Sequence, residues 1–135
     1  MFEYEGIFTD DMPQGQGRMT LIDHNTNRIQ TRVFQGLFAN GVLEGFGQVE
    51  CENKFLYQGE WVSGKPLGFG TCTYNAIDAI YTGTWLNGKM NGQGQFVFQK
   101  SRYTIQGTFK DGKLQGEGQR SYSSGKTIEG FWEDN

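Results

Sequence analysis

Six glycines set the rhythm of this chain. They stand at positions 6, 36, 59, 83, 107 and 130, so the steps between them are 30, 23, 24, 24 and 23 residues. Each is the centre of a five-residue cluster with a large apolar residue at both ends, at 4–8, 34–38, 57–61, 81–85, 105–109 and 128–132. Five of the units then carry Gly-x-Gly, at 15/17, 45/47, 68/70, 92/94 and 116/118, and four carry a turn glycine, at 41, 64, 88 and 112. Together with Gly125 these classes account for all 21 glycines. A period this regular means one supersecondary unit that stacks on its own neighbours.

Each unit reads as two short antiparallel strands. In the fourth, Tyr81, Gly83 and Trp85 alternate with Thr82 and Thr84, which places the aromatic residues on one face. "LNGKMN" follows as turn material, with Asn-Gly suited to positive φ. Gly92, Gly94, Phe96 and Phe98 then alternate with Gln93, Gln95 and Val97. The predicted fold is all-β: an elongated, single-layer, twisted antiparallel sheet of stacked hairpins with about eleven strands, roughly 50 Å long at ~4.8 Å per strand. The glycine pairs are expected to leave bare backbone for rings to lie over. One array fills residues 1–135, with units near 4–21, 34–51, 57–74, 81–98 and 105–122, a half unit at 128–135 and an insertion at 22–33.

The pattern Tyr-x-Gly-x-Trp-x-x-Gly-Lys-x-x-Gly-x-Gly resembles the MORN (membrane occupation and recognition nexus) repeat. "YQGEWVSGKPLGFG" and "YTGTWLNGKMNGQG" match it almost position by position. The resemblance implies a non-enzymatic scaffold, of the kind found in cytoskeletal, ciliary and membrane-junction assemblies. It also raises phospholipid binding as an alternative. The terminal units depart from the pattern: Phe8 replaces Trp, "DDMPQGQG" replaces Gly-Lys, and Ile105 and Ile128 replace the leading Tyr.

Several kinds of chemistry are excluded on the residues. "SSGKT" at 123–127 ends like a phosphate loop, but Arg120 stands where that motif requires glycine. His24 is the only histidine and reads as a solvated loop residue rather than a ligand. Cys51 and Cys72 read as small apolar residues of the aromatic face, not as a disulfide or a nucleophile. The net charge of −3 gives no basic field for nucleic acid. No signal segment, lipidation motif or ~20-residue apolar span is read, and a reduced cytoplasmic setting is expected. No catalytic residue, metal or cofactor is predicted.

Three surfaces remain as candidates. The first is a partner-binding groove on the aromatic face, through Phe8, Phe38, Tyr57, Trp61, Tyr81, Trp85, Phe109 and Trp132. A single layer is expected to leave those rings partly uncovered, so a helix or extended segment would lie along them. The second is a patch on the opposite face formed by Leu37, Phe46 and Phe69, either a partner site or a packing surface for the insertion. The third is a row of turn lysines, Lys65, Lys89 and Lys113, for anionic lipid headgroups. The edge strand at 128–132 is open to pairing with another copy unless Glu129, Glu133 and Asp134 guard it.

Overall fold

The structure is a computed structural model that describes residues 2–24 and 29–132. Eleven strands follow one another in chain order: β1 (Phe2–Thr9), β2 (Met12–Asp23), β3 (Gln30–Ala39), β4 (Val42–Cys51), β5 (Phe55–Val62) and β6 (Lys65–Tyr74). The remainder are β7 (Ala79–Leu86), β8 (Lys89–Phe98), β9 (Tyr103–Lys110), β10 (Lys113–Tyr122) and β11 (Thr127–Trp132). All belong to one open antiparallel sheet in which spatial order equals sequence order. Residues 22–23 and 30–33 of the insertion lengthen β2 and β3, so most of its described part is strand. Glu133 and Asp134, read as edge charges, lie outside the described residues.

The register brings one glycine from every strand into a single line. Gly6, Gly17, Gly36, Gly47, Gly59, Gly70, Gly83, Gly94, Gly107, Gly118 and Gly130 pair in succession from one edge to the other. Side chains cross this line. A Cβ added to Gly59 would come 2.6 Å from the Tyr57 hydroxyl, and one on Gly83 would come 2.6 Å from that of Tyr81. Tyr4, Tyr57 and Tyr81 each cover both glycines of their own hairpin. Where the leading Tyr is absent, a leucine beyond the turn takes its place: Leu43 in the Phe34 unit and Leu114 over Gly107 in the Ile105 unit. The Tyr units carry Pro13, Pro66 or Met90 at that position.

The first glycine of each Gly-x-Gly has a different task from the one its spacing suggests. Gly68 has φ of 94° and belongs to a bulge in which Glu60 of β5 faces three residues of β6, between the pairs Gly59/Gly70 and Trp61/Pro66. The left-handed conformation needed there favours glycine. No ring lies over Gly15 or Gly116, the equivalent positions in units 1 and 5, where an added Cβ meets nothing within 4 Å. The expectation that both glycines make room for rings is therefore corrected: the second makes room and the first turns the chain. The hairpin tips are type I′ turns, as in Asn87 and Gly88 with φ of 50° and 83°.

Successive tips are tied together along the array. Gly41, Gly64, Gly88 and Gly112 each donate a backbone N–H to a carbonyl beyond the previous tip, those of Pro13, Leu43, Pro66 and Met90, at 3.0–3.1 Å. The opposite edge is tied likewise by Asn75 N–H to Lys54 O and Gln99 N–H to Asp78 O.

Two substitutions separate the glycine roles. Gly83→Ala should cost about 1–3 kcal/mol, because its Cβ would meet the Gly94 Cα and the Gln93 carbonyl at 2.6 Å and neither backbone atom can swing away. Gly116→Asn should cost well under about 1 kcal/mol, since asparagine tolerates the left-handed region. Denaturant unfolding of both variants measures this, and equal losses would refute the division of roles.

Candidate functional site

The floor of the aromatic face is a chain of edge-to-face rings. Within units, Tyr4 meets Phe8 at 4.9 Å between centroids, Tyr57 meets Trp61 at 5.4 Å and Tyr81 meets Trp85 at 5.2 Å. Between units, Tyr4 meets Phe38 at 5.2 Å, Tyr57 meets Trp85 at 5.0 Å and Tyr81 meets Phe109 at 5.1 Å. Each such contact contributes about 0.5–1.5 kcal/mol beyond burial. The Tyr57 hydroxyl donates to the carbonyl of Glu60 at 3.0 Å, and that of Tyr81 to Thr84 at 3.1 Å, so the polar end of each ring is satisfied by the residue the bulge displaces. Trp85 Nε1 donates across to the Gly70 carbonyl at 3.1 Å.

This floor needs no second layer, which overturns the expectation that the rings stay partly uncovered. Phe38, Tyr57, Trp61, Tyr81, Trp85 and Phe109 are buried, Tyr81 completely. The bulge in each hairpin bends its strands, and the bare glycine line lets the rings sink onto the backbone. Phe8 at one end stays 54% exposed and Trp132 at the other is half-buried.

An open groove lies above the floor. Its main recess, about 370 Å³, is lined by Arg32, Phe34, Phe55, Tyr57, Trp61 and Tyr74 among others. A second recess of about 280 Å³ involves Met19, Leu21, Phe34, Phe38 and Leu43. Trp61 and Gly64 line both. Of the eight residues expected from the repeat pattern, Phe38, Tyr57, Trp61 and Trp85 line these recesses, and the half-buried rings of Phe34, Phe55 and Tyr74 join them as walls. These three were missed as site residues, though Tyr74 has the same parity as Gly68, Gly70 and Cys72. Arg32 was also missed. It falls two residues before Phe34, on the aromatic side, but inside a segment read only as an insertion.

On the opposite face Phe46 is 72% exposed and Phe69 57%, and Leu37 is exposed as well. Phe46 and Phe69 are bulge residues, paired on their outer sides with Glu60 and Thr84. The Glu60 carboxylate accepts the Phe69 N–H between them. Ile7 and Phe131, 64% and 68% exposed, share the parity of Leu37 and were overlooked. Lys65, Lys89 and Lys113 are exposed and open β6, β8 and β10 at equivalent places after successive tips. His24 is exposed, outside any strand. Cys51 and Cys72 are buried free thiols of the aromatic face. Among the described residues no group of three or more His, Cys, Asp or Glu could hold a metal ion.

Burial raises four acidic groups of this face. It pushes the Tyr81 hydroxyl up to about 12 and the Cys72 thiol up to about 11, against a smaller opposing effect of a hydrogen bond with Tyr74. Tyr57 is driven well above an ordinary phenol, first by burial and then by the charge of Glu60. Tyr74 is raised too, by burial and then by Cys72.

Comparison with known proteins places this geometry. The family model described as MORN repeat matches residues 4–26, 34–54, 57–75, 81–101 and 106–127. Alsin of Rattus norvegicus is 37% identical over 76 residues, and the alsins of Mus musculus and Homo sapiens are 36% identical over 76 residues. Each of these matches covers 53% of this chain and 4% of the relative, so the chain spans a small part of the length of the curated relatives it matches.

The raised pKa values predict the alkaline behaviour. A thiol or phenol whose folded pKa exceeds its unfolded value stabilises the fold fully below the unfolded value and loses that contribution as pH climbs toward the folded one. Stability should be flat near neutrality and fall from roughly pH 8.5 upward, as Cys72 and then the tyrosines come into range. The phenolate absorbance of Tyr57, Tyr74 and Tyr81 should appear with unfolding, not before it. Stability that rose across that alkaline range would contradict the burial of these groups.

Proposed function

The chain belongs to the MORN-repeat family, and from that premise we propose that it is a docking module that holds a helix or extended segment of a partner protein along the aromatic groove. The observation that carries this is the contrast between floor and rim. The floor rings are themselves buried, while Phe34, Phe55 and Tyr74 pack onto them from above and keep part of their surface accessible. A recess of about 370 Å³ lies within the ~300–1,000 Å³ range of ligand sites. It is also walled mainly by aromatic residues, which suits apolar anchors of a peptide. The rigid floor contributes preorganisation, because the groove walls are fixed before a partner arrives. Two buried free thiols suit a reducing setting, and the work of such a module is as a subunit beside a cytoskeletal, ciliary or membrane-junction assembly.

The lysine row supports a second reading, adsorption to anionic membranes, on one observation. Lys65, Lys89 and Lys113 recur at the same exposed place on three neighbouring hairpins. Three charges alone fall short of stable anchoring.

One pair of measurements separates the two. A photo-crosslinking amino acid at position 74, introduced in the native cells, should yield a discrete polypeptide adduct that is lost when Phe55→Ser is added. Phosphatidylserine vesicles should sediment the chain weakly at most, and equally with or without Lys65→Glu, Lys89→Glu and Lys113→Glu together. Strong vesicle binding abolished by those three changes, with no adduct at position 74, would give the function to the membrane instead.

A further inference from the structure

The groove has a charge pattern that the chain as a whole does not share. The sequence carries 15 Asp/Glu against 12 Lys/Arg, yet the aromatic face is arranged otherwise. The row beside the glycine line runs Tyr4, Met19, Phe34, Val49, Tyr57, Cys72, Tyr81, Phe96, Ile105, Arg120 and Ile128. The next row runs Phe2, Leu21, Arg32, Cys51, Phe55, Tyr74, Ala79, Phe98, Tyr103 and Tyr122. Neither row holds a carboxylate, and their only ionised side chains are Arg32 and Arg120. The nearest acidic residue of the same parity, Asp23, pairs with Gln30 beyond these rows.

Each arginine has one polar atom that nothing in the sheet satisfies. The Nε atoms of Arg32 and Arg120 are buried without a hydrogen-bond partner. The Arg120 guanidinium lies over the Tyr103 ring, 5.0 Å from its centroid, and Arg32 walls the main recess. A guanidinium set in an apolar face, with no carboxylate beside it, is a strong site for a partner's carboxylate, because charge-assisted bonds strengthen where water is thin.

The direction of the groove decides the partner's backbone. A segment following the array crosses the strands and meets side chains, not a free strand edge. An extended segment would lay unpaired N–H and C=O groups on an apolar floor, whereas a helix satisfies its own. Resting on the docking reading above, we infer that the occupant is an amphipathic helix whose apolar face is flanked by two acidic positions, one for Arg32 and one for Arg120. The two arginines stand on β3 and β10, seven strands apart. At ~4.8 Å per strand that is about 34 Å, or about 22 residues of helix.

The test is a selection from a phage-displayed library of amphipathic helical peptides about 30 residues long, against the whole chain and against Tyr74→Ser. Binders lost with Tyr74→Ser should be enriched in Asp or Glu at two positions near that spacing. Arg32→Gln with Arg120→Gln should weaken them about tenfold or more, Lys at both positions should restore part of the affinity, and thermal melts of each variant check the fold. Groove binders with no acidic preference, or indifferent to the Gln pair, would overturn this inference and leave the docking reading standing. If no selected helix responds to Tyr74→Ser, the docking reading falls and takes the acidic helix with it.

Discussion

Everything in this sheet rests on rings lying over a line of glycines. A single layer has no partner layer to bury its aromatic residues, and ordinary side chains on the backbone would hold the rings off it. Removing the Cβ from one position on all eleven strands lets Tyr4, Tyr57 and Tyr81 fold flat across their hairpins. The rest follows from that geometry. The bulge that displaces Glu60 or Thr84 supplies the carbonyl that each tyrosine hydroxyl needs. The ring then stands edge-on to the Trp or Phe of its own unit and of the next. The leucines at 43 and 114 show the same demand from the other side, since they fill the space in the Phe34 and Ile105 units where the tyrosine is missing, and Trp132 does so over Gly118 and Gly130.

The function inherits this economy. The second tier of rings at Phe34, Phe55 and Tyr74 packs against the aromatic floor and stays half-buried, which is the surface the docking proposal uses. The bulges also turn Phe46 and Phe69 outward, so the two faces are unlike in shape as well as in polarity. One is an aromatic face with a recess beside Arg32 and with Arg120 over the Tyr103 ring. The other is a surface crossed by a line of amides and hydroxyls, including Gln35, Gln48, Gln58, Thr71, Thr82 and Gln95, which pair in succession.

Much of this was legible before the structure. The period gave the hairpins, the positive-φ turn at Asn87-Gly88 and the shared face of Tyr81, Gly83 and Trp85, because strand parity and turn chemistry are local. The outward placement of Phe46 and Phe69 was legible for the same reason. The burial of Trp61 and Trp85 was not, since it depends on how far rings sink toward a neighbour's backbone, and parity is silent on depth. Nor was the split between the two glycines of Gly-x-Gly, where a bulge at Gly68 and a bare site at Gly70 leave the same letter. Arg32 was hidden by the insertion, which obscured that β3 reaches back as far as Gln30.

The fit of ring to glycine is the central claim, and Gly94 isolates it, because the atoms nearest an added Cβ there all belong to the Tyr81 side chain. The direct measurement is a double-mutant cycle with Gly94→Ala and Tyr81→Leu, read by denaturant unfolding. Ring-over-glycine packing predicts that Gly94→Ala costs much less once the ring is gone, with a coupling of about 1 kcal/mol or more. The same cost in both backgrounds would mean that the glycine line serves some other purpose, and the packing of rings on bare backbone would no longer account for the fold.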